Sequence, residues 1–95
     1  MATTISERAV DWCRFQCRVF AHIENYTVPQ YGDKSDDQAS EFTSQDCVTN
    51  IKRYANRFGK NSRGEKEQLL DLIKIAHYAQ LAYDKLDEEL KDETT

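Results

Sequence analysis

The chain has little that would break or staple a fold. Its 95 residues hold one proline, Pro29, and three glycines. No alternating apolar and polar run reaches strand length, which argues against a sheet. No stretch approaches the roughly 20 apolar residues of a membrane span. Met1-Ala2-Thr3-Thr4 lacks the basic-then-apolar order of a secretory leader, so none is expected. Internal repeats and low-complexity tracts are missing too. The three cysteines, Cys13, Cys17 and Cys47, are an odd set without a leader, which points to free thiols in a reducing compartment. His22 and His77 are the only histidines. Neither makes a paired spacing with the cysteines, so no metal site and no cofactor are expected. The cysteines are expected to be packed and unligated.

What is present is polar. Basic residues number 13 and acidic residues 17, for a formal charge of −4. Mean hydropathy is −0.81. That balance excludes a uniformly basic nucleic-acid-binding domain. A domain this short buries only about 60–65% of the surface its unfolded chain exposes. Such domains usually gain stability from a disulfide, a metal or a second copy. With the first two unsupported, a homo-oligomer is expected.

Apolar spacing predicts an all-α fold, a small bundle of three main helices. The first helix spans about 4–24, with Thr4 as N-cap and Glu7 completing a capping box. Trp12, Phe15, Val19 and Ile23 mark one face. Ala9, Cys13, Cys17 and Phe20 form an adjacent stripe, so the helix suits more than one neighbour. Residues 25–42 hold Pro29 and a Gly32-Asp33 turn signal and are expected as a long loop, with a helical turn near 35–41. Tyr26, Tyr31 and Phe42 would pin that loop to the core. A second helix spans 44–58, capped by Thr43 or Ser44, with Gly59 just past its end. Cys47, Val48, Ile51, Tyr54, Ala55 and Phe58 repeat at helical spacing. A third spans 65–90, with Leu69, Leu72, Ile73, Ala76, Ala79, Tyr83, Leu86 and Leu90 as the expected core face. Residues 91–95 should fray. The second and third helices should pair antiparallel.

The average charge hides a strong pattern. Residues 24–46 carry −5, residues 52–66 carry +5 and residues 84–95 carry −4. The basic zone contains Lys52, Arg53, Arg57, Lys60, Arg63 and Lys66. Arg53 and Arg57 are four apart and share a helix face. Asn50 lies near that face, and Tyr54 offers a ring and a hydroxyl. Guanidinium forks, an amine and an aromatic suit a phosphorylated ligand with a planar base. The same basic residues could instead complement the helix dipole or pair with Glu65, Glu67 or Asp71 on the surface. The track is too short for duplex nucleic acid, which needs a longer row of phosphate contacts. The acidic residues 84–93 read as a solvated face.

Catalytic patterns are lacking. Gly59-Lys60-Asn61-Ser62 resembles the end of a phosphate-binding loop, but position 54 is Tyr where the first glycine belongs and no strand precedes it. Glu65, Glu67 and Asp71 could hold Mg²⁺ only with a second acidic pair, and none is evident. No catalytic residue is assigned.

The segment Asn50-Ile51-Lys52-Arg53-Tyr54-Ala55-Asn56-Arg57-Phe58-Gly59-Lys60, with Asp71-Leu72-Ile73-Lys74-Ile75-Ala76-His77-Tyr78, resembles the SaV-like family of small bacteriophage proteins. The matching positions are Asn50, Tyr54, Arg57, Gly59, Lys60, Asp71, Leu72, Lys74 and Tyr78. Arg53 and Ile75 depart from the pattern, and the 61–70 connection is longer. The resemblance covers residues 48–83. It implies a phage origin and a place in the cytoplasm of the infected bacterium. Similar domains are attached to phage nucleotide kinases, which suggests a nucleotide connection. The resemblance also adds Lys74 and Tyr78 to the face defined by Asn50, Arg53, Tyr54, Arg57 and Lys60.

The expectation is therefore a non-enzymatic phage accessory protein that binds a nucleotide or cyclic nucleotide. It would serve as a signal-nucleotide sponge or as a regulator of nucleotide metabolism. The alternative is an acidic protein that inhibits a host enzyme or defence complex. A membrane partner is not expected.

Overall fold

The computed structural model describes residues 4–33, 41–60 and 64–94, with side chains up to Lys91. The described residues hold helices and no strand. Helix α1 spans Glu7–His22. Its cap is Ser6, whose hydroxyl accepts the Ala9 N–H at 3.1 Å. Thr4 lies two residues outside, so the expected Thr4/Glu7 box does not start the helix. Glu7 falls in the first turn, where its charge suits the dipole.

The chain stays helical past His22. Ile23–Thr27 form one π-helical turn and Val28–Tyr31 a short helix, α2. The loop expected over 25–42 is thus corrected at its start, because 25–31 is helical. Pro29 opens α2 inside this continuous helical run, where it has no N–H to bond back to the preceding turn. The wide turn before it gives the proline ring room against the preceding carbonyls. Gly32, at φ 89°, ends the segment, its N–H bonded to the Val28 carbonyl at 2.8 Å. Residues 34–40, and with them most of the turn expected near 35–41, lie outside the described residues.

Helix α3 spans Ser44–Arg57 and α4 spans Glu65–Thr94. Thr43 caps α3 through a reciprocal box. Its hydroxyl accepts the Asp46 N–H at 3.1 Å and its own N–H donates to Asp46 Oδ2 at 2.9 Å. Gly59, at φ 79°, turns the chain after α3, a conformation other residues rarely take. The last helix extends to Thr94, and Thr95 lies outside the described residues.

Helices α3 and α4 run antiparallel and are tied at both ends. At one end the Ser44 N–H and hydroxyl donate to the Glu89 carboxylate at 3.1 and 2.8 Å. At the other, the Arg57 guanidinium forks onto Asp71. Glu89 was expected among solvated acidic residues. It instead anchors the first turn of α3, where free N–H groups and the helix dipole attract a carboxylate.

The core is thin. Among the described residues only Cys47 and Asp71 are fully buried. Val48, Ile51 and Tyr54 of α3 and Leu70, Tyr78 and Leu81 of α4 are half-buried, and Tyr54 meets Tyr78 across the pair. From α1, Ala9, Phe15, Val19 and the neighbouring Ile23 are half-buried, while Trp12 and Phe20 face out. Ala55 and Phe58 are exposed as well. The face of α4 expected to be core is largely open: Leu69, Leu72, Tyr83, Leu86 and Leu90 are all exposed. Helix α4 is apolar on two sides, and α3 packs on the side carrying Asp71, Lys74, Tyr78 and Leu81. Periodicity alone cannot choose between two such sides.

The cysteine expectation is corrected in the same way. Cys47 is buried, whereas Cys13 and Cys17 are free and exposed, one turn apart on α1. Burial also pushes the Cys47 thiol up from its ordinary pKa, and the thiolate is the reactive form. In the native protein a colorimetric thiol reagent should titrate two cysteines within seconds to minutes. The third should react at least ~100-fold more slowly and be released by denaturant. Three fast thiols would contradict this packing.

Candidate anion-binding face

Tyr54 sits at the centre of the face. It is half-buried between α3 and α4. The Tyr78 ring stacks on it at 5.8 Å with 26° between planes. The Arg57 guanidinium carbon lies 5.0 Å from the Tyr54 ring centroid. The Lys74 ammonium lies 5.4 Å from the same centroid. Both distances are within the roughly 6 Å reach of a cation–π contact. Lys74 and Tyr78 are one turn apart on α4, and the antiparallel pairing brings them opposite Tyr54.

Arg57 is held from the other side by Asp71. Its Nε donates to Asp71 Oδ2 at 3.5 Å and its Nη2 to Oδ1. That hydrogen bond to Asp71 raises the guanidinium pKa above its ordinary value. The Asp71 side chain is wholly buried, while that of Arg57 stays 46% exposed. The pair therefore aims a cation outward from an anion sealed inside. The sequence suggested Glu65, Glu67 or Asp71 as surface partners. Only the fold shows that the partner is Asp71 and that it is buried. With its carboxylate taken by Arg57, Asp71 is a poor ligand for Mg²⁺. Among the described residues no three acidic, histidine or cysteine side chains are placed to share a metal ion.

The end of α1 and the π-turn extend the face. His22 stacks on Tyr26 at 5.1 Å, and Tyr26 meets Tyr31 edge-on at 6.3 Å. Partial burial and the nearby Lys74 ammonium lower the His22 pKa below its ordinary 6.5. A hydrogen bond to Tyr26 raises the Tyr31 phenol, and Tyr54 lies close enough to add to that shift. Burial, then the neighbouring Tyr54, raises Tyr78. His22, Tyr26 and Tyr31 thus adjoin Tyr54 and Lys74, and the aromatic lane was missed as part of the site. Its signal was a run of rings around Pro29, which read as a loop pinned to a core. Tyr26 and Tyr31 remain exposed.

The other sequence-selected residues lie at the margins. Asn50 donates to the Asp46 carbonyl at 3.1 Å and accepts from Arg53 Nη1 at 3.3 Å. Arg53 is exposed and close enough to Tyr78 to lower its phenol pKa. Lys60 is exposed beyond α3, its N–H bonded to the Arg57 carbonyl at 2.9 Å. Of the seven candidates, Tyr54, Arg57, Lys74 and Tyr78 form one cluster, with Arg53 and Asn50 one turn away. Lys60 is placed near its edge by the chain alone.

No family model, no curated protein and no solved structure matches the chain. No helix of the described residues is long and apolar enough to cross a membrane.

Proposed function

We propose that this chain is a non-enzymatic bacteriophage accessory protein that binds a nucleotide-like anion on the Tyr54 face. It would work in the host cytoplasm, as a sponge for a signal nucleotide or as a regulator of nucleotide metabolism. The phage setting rests on the resemblance carried by Asn50, Tyr54, Arg57, Lys60, Asp71, Lys74 and Tyr78. The ligand class rests on chemistry. One observation carries it: two cations converge on a single tyrosine ring, Arg57 at 5.0 Å and Lys74 at 5.4 Å. Two cations side by side repel and need an anion nearby. Asp71 answers Arg57, and a ligand phosphate would answer Lys74 and Arg53. The exposed Tyr26 and Tyr31 rings supply planes on which a base can stack. A π-turn beside them fits, since such turns frequently mark functional sites.

Calorimetric titration with linear and cyclic nucleotides tests the reading. The wild type should bind one class with a dissociation constant in the micromolar range or tighter. Lys74→Gln and Arg53→Gln should each weaken binding by roughly 10-fold, the worth of a charge-assisted contact. Both should keep wild-type helicity, because neither leaves a buried charge unpaired. Absence of heat with every nucleotide at millimolar concentration would overturn it.

A further inference from the structure

The exposed side of α4 is a long, ordered apolar seam. Leu69, Leu72, Ala76, Ala79, Tyr83, Leu86 and Leu90 recur in alternating steps of three and four. That is the a/d spacing of a helix that pairs with another. The seam lies opposite the side that packs on α3. Leu69 is 65% exposed and Tyr83 is 74% exposed, so nothing described within the chain covers them. Contiguous apolar surface of this kind marks a protein–protein interaction site.

We infer that this seam is the interface of an antiparallel homodimer, α4 against α4 of a second copy. The charges that border the seam choose the direction. Lys66 stands beside it near the start of α4 and Asp87 near its end. A parallel pair would set like ends together. An antiparallel pair sets Lys66 of each copy beside Asp87 of the other, and the helix dipoles also oppose. The side chains give a register. Ala76 meets Ala79 of the second copy at the centre, where small residues let the backbones approach. Leu72 then meets Tyr83, and Leu69 meets Leu86. In that register Lys66 flanks the seam opposite Asp87 of the second copy, twice by symmetry. The open groove of about 260 Å³ lined by Phe58, Leu69 and Leu72 lies where Leu86 and Leu90 of the second copy arrive. The dimer stands apart from the ligand reading. The Tyr54 cluster is on the α3 side of α4, and neither needs the other.

Sedimentation equilibrium of the full chain tests this, with circular dichroism as the control for folding. The wild type should sediment at twice 11.1 kDa at micromolar concentration. Ala79→Glu puts two like charges at the centre of the seam and touches no α3 contact. It should raise the dimer dissociation constant by roughly 100-fold or more with helicity kept. Lys66→Glu should weaken the dimer, and Lys66→Glu with Asp87→Lys should restore it. A monomeric wild type at 100-fold higher concentration, or a dimer untouched by Ala79→Glu, would overturn the interface. A charge swap that fails to restore the dimer would overturn the antiparallel register.

Discussion

Arg57→Met should lower the melting temperature by on the order of 10–20 °C. The expectation comes from the asymmetry of the pair. Asp71 has no exposed surface and Arg57 is half in water. Methionine keeps much of the arginine stem and its contact with Tyr54, but it strands a carboxylate in the interior. Removing one partner of a buried pair is strongly destabilising because the remaining charge cannot reach water. A domain near this size loses about 4–8 °C for each kcal/mol. The converse change should be milder. With Asp71→Leu, Arg57 can turn outward and stay hydrated. Arg57→Met with Asp71→Leu replaces both charges with apolar groups and should recover most of the loss, as buried pairs often tolerate such exchange. Thermal melts of the three variants decide the matter. An Arg57→Met protein that melts with the wild type would show that Asp71 is not sealed by the α3/α4 contact. The same reasoning bears on the choice of binding probe. Arg57→Ala confounds a lost ligand contact with a damaged fold, which is why Lys74 and Arg53 are the cleaner reporters.

Glu89→Ala should cost about 2 kcal/mol, through loss of two hydrogen bonds to a charged acceptor and of its interaction with the α3 dipole. Glu89 is half-buried. It accepts from both the backbone N–H and the hydroxyl of Ser44. Alanine would leave the start of α3 held by Thr43 and Asp46 alone. Hydrogen exchange should localise the effect, with amides of residues 44–48 losing protection before those of 52–57. Chemical denaturation gives the magnitude. A variant as stable as the wild type would place Glu89 in solvent, where the acidic spacing of residues 84–93 first suggested it belonged.

These two residues show where sequence reasoning reached its limit. The three main helices and the antiparallel pairing of the last two follow from spacing, Thr43 and Gly59. Those signals are local, and local physics determines them. Glu89 and Asp71 look like their acidic neighbours in the sequence. Only the register of α3 against α4, set by many weak contacts, selects one as a cap and the other as a buried counter-ion. Pro29 misled for a related reason. A proline ordinarily breaks a helix interior; here the helix runs through it behind a π-turn, and that turn carries no sequence mark. The open face of α4 misled differently. Seven residues at a/d spacing specify that the side is apolar, not that the same chain covers it. For the site, the cluster of Arg53, Tyr54 and Arg57 was visible as charge and ring on one helix face. The lane of His22, Tyr26 and Tyr31 was not, because it comes from a different helix and meets Tyr54 only through folding.

The central claim is that the Tyr54 face receives a nucleotide-like anion. Its most direct test is nuclear magnetic resonance titration of the wild type with the nucleotide that calorimetry selects. The predicted result is saturable shifts of the Tyr54, Tyr78, Tyr26 and Tyr31 ring signals together with the Lys74 side chain, while Trp12 and Leu90 stay unmoved. Saturable shifts confined to other surfaces, or no shifts at all, would contradict it.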